Sequence, residues 1–286
     1  MQHTLVSLVR YSVRHVTTRC LTTVLLVLVV SAGWAGAQPM PQQASSLTRP
    51  TSHAANSASD SRSDIFYTIV DRATLFQASD TTRAYMNLRR REPLTFLPGQ
   101  DPGWEGWRRV RTFDGANGLI RSEDVSNVWL RISKTRQTLF VYRGANLIAR
   151  IPTDLGYNFF SDKERRGSNG DPDHWRTPEG EFFIASKNPN SQFYRAFVLN
   201  YPNAEDAARG LEDGLITEEQ YEQIVRAEQQ YGIPPMNTEL GGWIEIHGNG
   251  TGQRNNWTQG CVAIQDIQMD RLWDLVDVGT PVLIDP

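Results

Sequence analysis

Val128-Trp129-Leu130-Arg131-Ile132-Ser133 is followed by Gln137-Thr138-Leu139-Phe140-Val141-Tyr142, a turn at Arg143-Gly144-Ala145-Asn146, and Leu147 to Ile151. Apolar and polar residues alternate through the first run, and the turn residues sit between apolar runs. A period of two with such punctuation predicts a β-meander. Glu181-Phe182-Phe183-Ile184-Ala185 and Ala196-Phe197-Val198-Leu199-Asn200-Tyr201 extend the strand pattern. The chain is therefore mainly β from residue 127 to 286.

Towards the C-terminus one helical excursion interrupts the strands. Thr217-Glu218-Glu219-Gln220 has the form of a capping box. It predicts a helix to about Tyr231, stopped by Gly232 and Pro234. A further helix is expected over Asp266 to Val276, with Met269, Leu272, Trp273 and Val276 on one face. Pro281-Val282-Leu283-Ile284 gives a last strand.

Towards the N-terminus, residues 64–126 read as a small β domain. Ile65 to Val70 and Pro93 to Leu97 are strand candidates, the second closed by Pro98-Gly99. Trp104 to Val110 leads to an Asp114-Gly115 turn, and Gly118-Leu119-Ile120 resumes strand character. Residues 38–63 are rich in Ser, Ala, Gln, Pro and Thr without apolar spacing, the composition of a disordered linker. Before them stand Arg10, Arg14 and Arg19, an apolar run from Leu21 to Val30, and a small-x-small end at Ala35 and Ala37. This is a secretory signal over 1–37, cleaved after Ala37 or retained as an anchor. Either reading exports the rest of the chain to the periplasm or cell envelope and limits membrane contact to that segment.

The chain has 286 residues, 39% hydrophobic content and a formal net charge of -3. Neither the charge nor any basic run favours nucleic acid. Cys20 lies in the leader, so a cleaved chain carries one thiol, Cys261. A lone thiol in an exported protein is a free reactive group or half of an intermolecular bridge.

Cys261 stands in a distinctive tract. Ile244-Glu245-Ile246-His247 is strand-like. Gly248, Gly250 and Gly252, with Asn249, Asn255 and Asn256, then supply a loop that tolerates tight turns. Thr258-Gln259-Gly260-Cys261-Val262 closes it. If the loop folds back, His247 can take the thiol proton and leave a thiolate–imidazolium pair. Gly260 removes a side chain beside the sulfur and opens the local amides to an oxyanion. Thr258 offers a hydroxyl that holds the loop or orients the ring. The blander reading, a buried apolar cysteine and a structural histidine, loses force because both stand beside glycines in an exported chain.

Residues 128–286 resemble the catalytic domain of YkuD-type L,D-transpeptidases. The resemblance rests on Gln137 to Tyr142, on Thr177-Pro178-Glu179-Gly180, on His247-Gly248 through Thr258-Gln259-Gly260-Cys261, and on Gly279-Thr280-Pro281-Val282. It implies a β-sandwich catalytic fold, here with a helical insertion at about 203–236, acting on peptidoglycan stem peptides without a cofactor. Cys261 would attack a diaminopimelate carbonyl of a stem tetrapeptide and expel D-alanine. A second stem's amine would take the acyl group, giving a 3→3 crosslink, or a D-amino acid would exchange. His247 would be the general base. The Gly248 carbonyl would steady the imidazole, and the Gly260 and Cys261 amides would form the oxyanion hole. Ala263 and Gln259 depart from residues common in the family, so hydrolysis by the same cysteine, as a carboxypeptidase or amidase, stays open beside transfer. So does a non-catalytic wall-binding role.

The 64–126 segment resembles bacterial SH3-like barrels through Asn87-Leu88-Arg89, Gly106-Trp107-Arg108-Arg109-Val110 and Gly118-Leu119-Ile120. Trp257, Tyr194 and Arg176 are further candidates for substrate contact, since an Arg fork suits a carboxylate. Arg165 and Arg166 share that chemistry. Asp171, Asp173 and His174 form a polar group near Thr177. With His53, His174 and His247 as the only histidines outside the leader, no metal site is expected.

Overall fold

The computed structural model describes residues 65–97 and 103–286. The expected leader, linker and Pro98-Gly99 turn lie outside the described residues.

The first β unit comprises β1 (Ile65–Thr68), β2 (Arg72–Gln77), β3 (Asp80–Arg89), β4 (Pro93–Phe96), β5 (Trp107–Thr112), β6 (Asn117–Arg121) and β7 (Val125–Ser126). They form one sheet in the order β3-β2-β6-β5-β4-β1-β7. Ala73, Leu75, Leu88, Leu94, Val110 and Ile120 make its core. Sequence patterning marks neither β2 nor β3 as a strand. The reason lies in β3's position: it is an edge strand, its middle is exposed, and its polar residues blunt the edge instead of alternating with a core.

The second unit begins with β8 (Val128–Ser133), β9 (Thr138–Arg143), β10 (Asn146–Pro152) and β11 (Leu155–Gly156). The expected meander is therefore present. Gln137 and Gly144 take positive φ at its turns. There follow β12 (Gly180–Ser191), β13 (Tyr194–Leu199), α1 (Ala204–Glu212), α2 (Glu218–Gln229), β14 (Glu245–His247), β15 (Asn256–Thr258), β16 (Val262–Ala263), α3 (Asp266–Trp273) and β17 (Pro281–Asp285).

Eight of these strands form one sheet, ordered β10-β9-β8-β17-β12-β13-β14-β16. Its long member β12 serves two wings. Gly180 to Phe183 pair with β17, and Ile184 to Ser191 pair with β13. Register irregularities follow Ile184, and a bulge there lets a strand bend. The wings thereby face each other. Leu130, Ile132 and Val141 from one wing share a core with Phe197, Leu199 and Ile246 from the other. Each such buried side chain contributes about 1.5–3 kcal/mol. This is the β-sandwich expected from the sequence.

The helical insertion holds two helices where one had been expected. In α1, Asn203 caps the first turn by accepting from the Asp206 amide, and the Asp206 carboxylate accepts from the Asn203 amide. The capping box at Thr217 and Gln220 opens α2 as expected. The last helix, α3, stops at Trp273, short of Val276, which is nonetheless buried.

Candidate active site

His247 reaches the site on β14, between β13 and β16. Ala196 pairs with it on one side in antiparallel register, and Ala263 on the other in parallel register. The chain then leaves the sheet and returns. Gly248 N–H donates to the Arg195 carbonyl at 3.1 Å and Gly250 N–H to the Ile264 carbonyl at 2.9 Å. Neither glycine tolerates a Cβ. At Gly250 it would lie 2.5 Å from the Ile264 backbone, and at Gly248 2.5 Å from the Asp266 carboxylate.

A buried carboxylate organises the returning loop. Asp154 is fully buried and accepts four hydrogen bonds. Its oxygens receive the Thr251 amide at 2.6 Å, the Thr251 hydroxyl at 2.8 Å, the Asn255 amide at 2.9 Å and the Trp257 indole N–H at 3.0 Å. Its backbone exchanges two 2.9 Å hydrogen bonds with Ala263. One residue thus ties the loop after His247 to the strand after Cys261. Sequence reasoning missed Asp154, because a single acid between Thr153 and Leu155 carries no local pattern.

The imidazole of His247 is buried, and its Nδ1 lies 2.7 Å from the Gly248 carbonyl. A carbonyl only accepts, so Nδ1 carries the proton and Nε2 of the neutral ring is left as the basic nitrogen. Phe193 stacks on the ring at 4.5 Å between centroids, and Trp257 meets its edge at 6.1 Å. Burial lowers the imidazole pKa; the Gly248 hydrogen bond and the Asp154 charge oppose that effect.

The Cys261 thiol donates to the Trp243 carbonyl at 3.4 Å. Burial pushes its pKa up to about 12, while the Glu245 backbone hydrogen bond and the Lys163 charge pull the other way. The sequence suggested a thiolate–imidazolium pair. In the ligand-free site desolvation works against the charged form of each group.

Gly260 has φ +130°, a conformation glycine favours, and a Cβ there would lie 2.6 Å from the Arg176 carbonyl. Its amide donates to the Thr258 hydroxyl at 3.2 Å, and that hydroxyl donates to the Cys261 carbonyl at 2.6 Å. The Gly260 amide is therefore occupied in the resting site, in contrast to the expected oxyanion role. No acceptor for the Cys261 amide is found among the described residues.

Cys261, His247, Trp257 and Thr258 line one cavity of about 610 Å³. Two further candidates lie elsewhere. Tyr194 hydroxyl donates to Asp270 at 2.8 Å. Arg176 pairs with Glu164 at 3.2 Å and donates to the Asp162 and Asp173 carbonyls. Neither side chain lines the cavity, since each is held by an acid or carbonyl outside it. The Arg176 main chain still contributes, by leaving room only for glycine at 260. Arg165 and Asp171 both approach His174 Nε2. Among the described residues no group of three or more His, Cys, Asp or Glu side chains gathers as a metal site.

Lys163 also lines the cavity, although nothing in the sequence distinguished it. It is 3% exposed, and burial lowers its pKa to about 8.

Several solved structures resemble the chain. An L,D-transpeptidase from Xylanimonas cellulosilytica is 17% identical with a TM-score of 0.34, covering 56% of this chain and 60% of its own. An L,D-transpeptidase from Mycobacterium smegmatis is 15% identical with a TM-score of 0.32, covering 63% and 67%. The helical cell shape determining protein Pgp2 from Campylobacter jejuni is 20% identical with a TM-score of 0.37, covering 55% and 46%. The chain thus spans less than two thirds of the length of the Xylanimonas and Campylobacter chains. No curated protein matches it. The model of the YkuD L,D-transpeptidase catalytic domain matches residues 127–284, more than half of the chain, and the protein belongs to that family.

Proposed function

We propose that this protein is a peptidoglycan L,D-transpeptidase with Cys261 as nucleophile and His247 as base. The observation that carries the reading is the single cavity that Cys261 and His247 both line, with His247 Nδ1 held by the Gly248 carbonyl. Family membership supports peptidoglycan stem peptides as substrate.

Because desolvation works against a resting thiolate, proton transfer accompanies attack in this reading. Cys261 Sγ attacks the diaminopimelate carbonyl of a stem tetrapeptide while its proton passes to His247 Nε2. The oxyanion faces the Cys261 amide, an interaction of the kind that contributes about 3–4 kcal/mol in acyl transfer. The carbon–nitrogen bond breaks, and the imidazolium returns its proton to the departing D-alanine amine. A second stem's amine then attacks the thioester, loses a proton to His247 and releases the thiol. In this reading the 65–126 sheet is an SH3-like module. It is joined to the catalytic unit by Tyr67, whose hydroxyl donates to the Val128 carbonyl, and by Arg90, which donates to the Val278 carbonyl at 2.9 Å.

The test is turnover of a tetrapeptide-containing muropeptide by the wild type and by Cys261→Ala. A crosslinked dimer or an exchanged D-amino acid from the wild type, and none from the variant, supports transfer. A trimmed monomer supports hydrolysis through the same thioester. Product formation by Cys261→Ala at the wild-type rate removes the mechanism. A carbapenem should also acylate Cys261; an inert thiol with tight wall binding favours the non-catalytic reading.

A further inference from the structure

The cavity that holds Cys261 and His247 has an uneven charge. Two cations, Lys163 and Arg166, line it, and none of its lining residues is Asp or Glu. A buried ammonium without a counter-charge is costly, and proteins seldom keep one without a use.

Lys163 comes near that case: the acid whose charge acts on it, Asp162, is itself paired with Arg209 at 3.0 Å. The residue is 3% exposed. Among the described residues its Nζ has one hydrogen bond, to the His174 carbonyl, at a long 3.5 Å. Among the described residues it forms no ion pair with a carboxylate. The backbone around it is firmly placed: its amide donates to the Asp162 carboxylate at 2.7 Å and its carbonyl accepts from Arg209 at 3.1 Å. The side-chain stem passes under Gly241, where a Cβ would lie 3.4 Å from Cε. The ammonium is thus directed and under-satisfied.

Arg166 adds a second positive charge on the same wall. Its guanidinium donates to the Thr238 carbonyl at 3.0 and 3.1 Å and to the Met236 carbonyl at 3.3 Å, with no carboxylate partner among the described residues. An anionic group entering the cavity meets two cations and displaces no acid.

We propose that Lys163, with Arg166 beside it, forms a carboxylate-recognition subsite that selects donor peptides bearing a free carboxylate next to the bond Cys261 attacks. The proposal deepens the function assigned above and rests on it for the identity of the donor. Two carboxylates of a stem tetrapeptide stand close to that bond: the C-terminal one of the departing D-alanine and the one on the diaminopimelate side chain. Both present the same chemistry to an ammonium. Lys163 is a specificity residue here, acting on ground-state and transition-state binding together.

The experiment has separate arms for binding and turnover. Calorimetry on Cys261→Ala protein measures affinity for three tetrapeptides: the free acid, the C-terminal amide and the diaminopimelate side-chain amide. The subsite predicts that one amide binds about 10- to 100-fold more weakly than the free acid, as expected when a charge-assisted hydrogen bond is lost. Adding Lys163→Met should weaken the free acid to the level of that amide and leave the amide itself unchanged. Lys163→Arg should restore part of the preference. Which amide is penalised identifies the carboxylate. Equal affinity for all three peptides overturns the proposal, as does a Lys163→Met loss that is the same for every peptide, and so does an absence of binding. Turnover is measured separately on protein with Cys261 intact. Discrimination in binding without any turnover removes the assigned reaction and keeps the subsite; turnover without discrimination does the reverse.

Discussion

Burial pushes the Cys261 thiol pKa up to about 12, which favours the protonated form across the neutral range. Iodoacetamide labelling of Cys261 in the ligand-free protein should therefore stay slow up to about pH 9, whereas the unfolded chain should label with the midpoint of an ordinary thiol, about 8.5. A labelling midpoint near 7 would show a resting thiolate and sink this description. The same shift has a linkage consequence. The folded thiol holds its proton above the pH at which the unfolded thiol loses it. Its contribution to stability is present below about pH 8.5 and is lost as pH rises towards the folded value. The alkaline fall in melting temperature should accordingly be shallower in Cys261→Ala. Asp154 carries a different load. Asp154→Ala removes the shared acceptor of four part-buried hydrogen bonds and should cost about 3 kcal/mol, the upper range for a hydrogen bond to a charged group. Chemical denaturation measures it, and a loss below 1 kcal/mol would mean that the loop does not depend on this carboxylate.

At the scale of elements, the helical insertion offers a graded comparison. Thr217 is an exposed cap whose side chain serves the Gln220 amide, so Thr217→Ala should cost about 1 kcal/mol. Asn203 is buried, and besides capping α1 its side-chain amide donates to the Glu181 carbonyl on β12 at 3.2 Å. Asn203→Ala removes both interactions and should cost about 2 kcal/mol or more. Melting curves of the two variants give the order, and equal losses would show that the bond to β12 contributes nothing. The two helices also differ in how they appear in the sequence. The Thr217 box precedes a long polar helix with a clear stop. The Asn203 start follows directly on a strand, and α1 spans only nine residues, so it left no periodic signal of its own.

At the scale of the molecule, Arg91 holds the first β unit to the catalytic unit. Its guanidinium lies 5.0 Å from the Phe183 ring centre and 5.1 Å from that of Tyr231. Arg91→Ala should lower stability by about 1–2 kcal/mol, the range for partly desolvated cation–π contacts. Carbapenem labelling of Cys261 should be unchanged, since Arg91 does not line the Cys261 cavity. A melting temperature equal to that of the wild type would show that the two units are joined without this contact.

Local order came from the chain's own alphabet. Alternation set the β8–β10 meander, the capping box placed α2, and glycine and asparagine marked the loop between His247 and Cys261. These signals are short-range, because side-chain period, cap chemistry and turn residues act within a few positions. Tertiary structure alone determined what depends on residues far apart in sequence. Asp154 reaches the loop about a hundred positions later, Lys163 comes to line the Cys261 cavity, and Arg176 and Tyr194 are drawn away from it by acids elsewhere. Protonation belongs to the same class. Cys261 and His247 suggest an ion pair by identity, and the folded surroundings work against both charges, since the cost of burying charge is set by packing and not by neighbours in the chain.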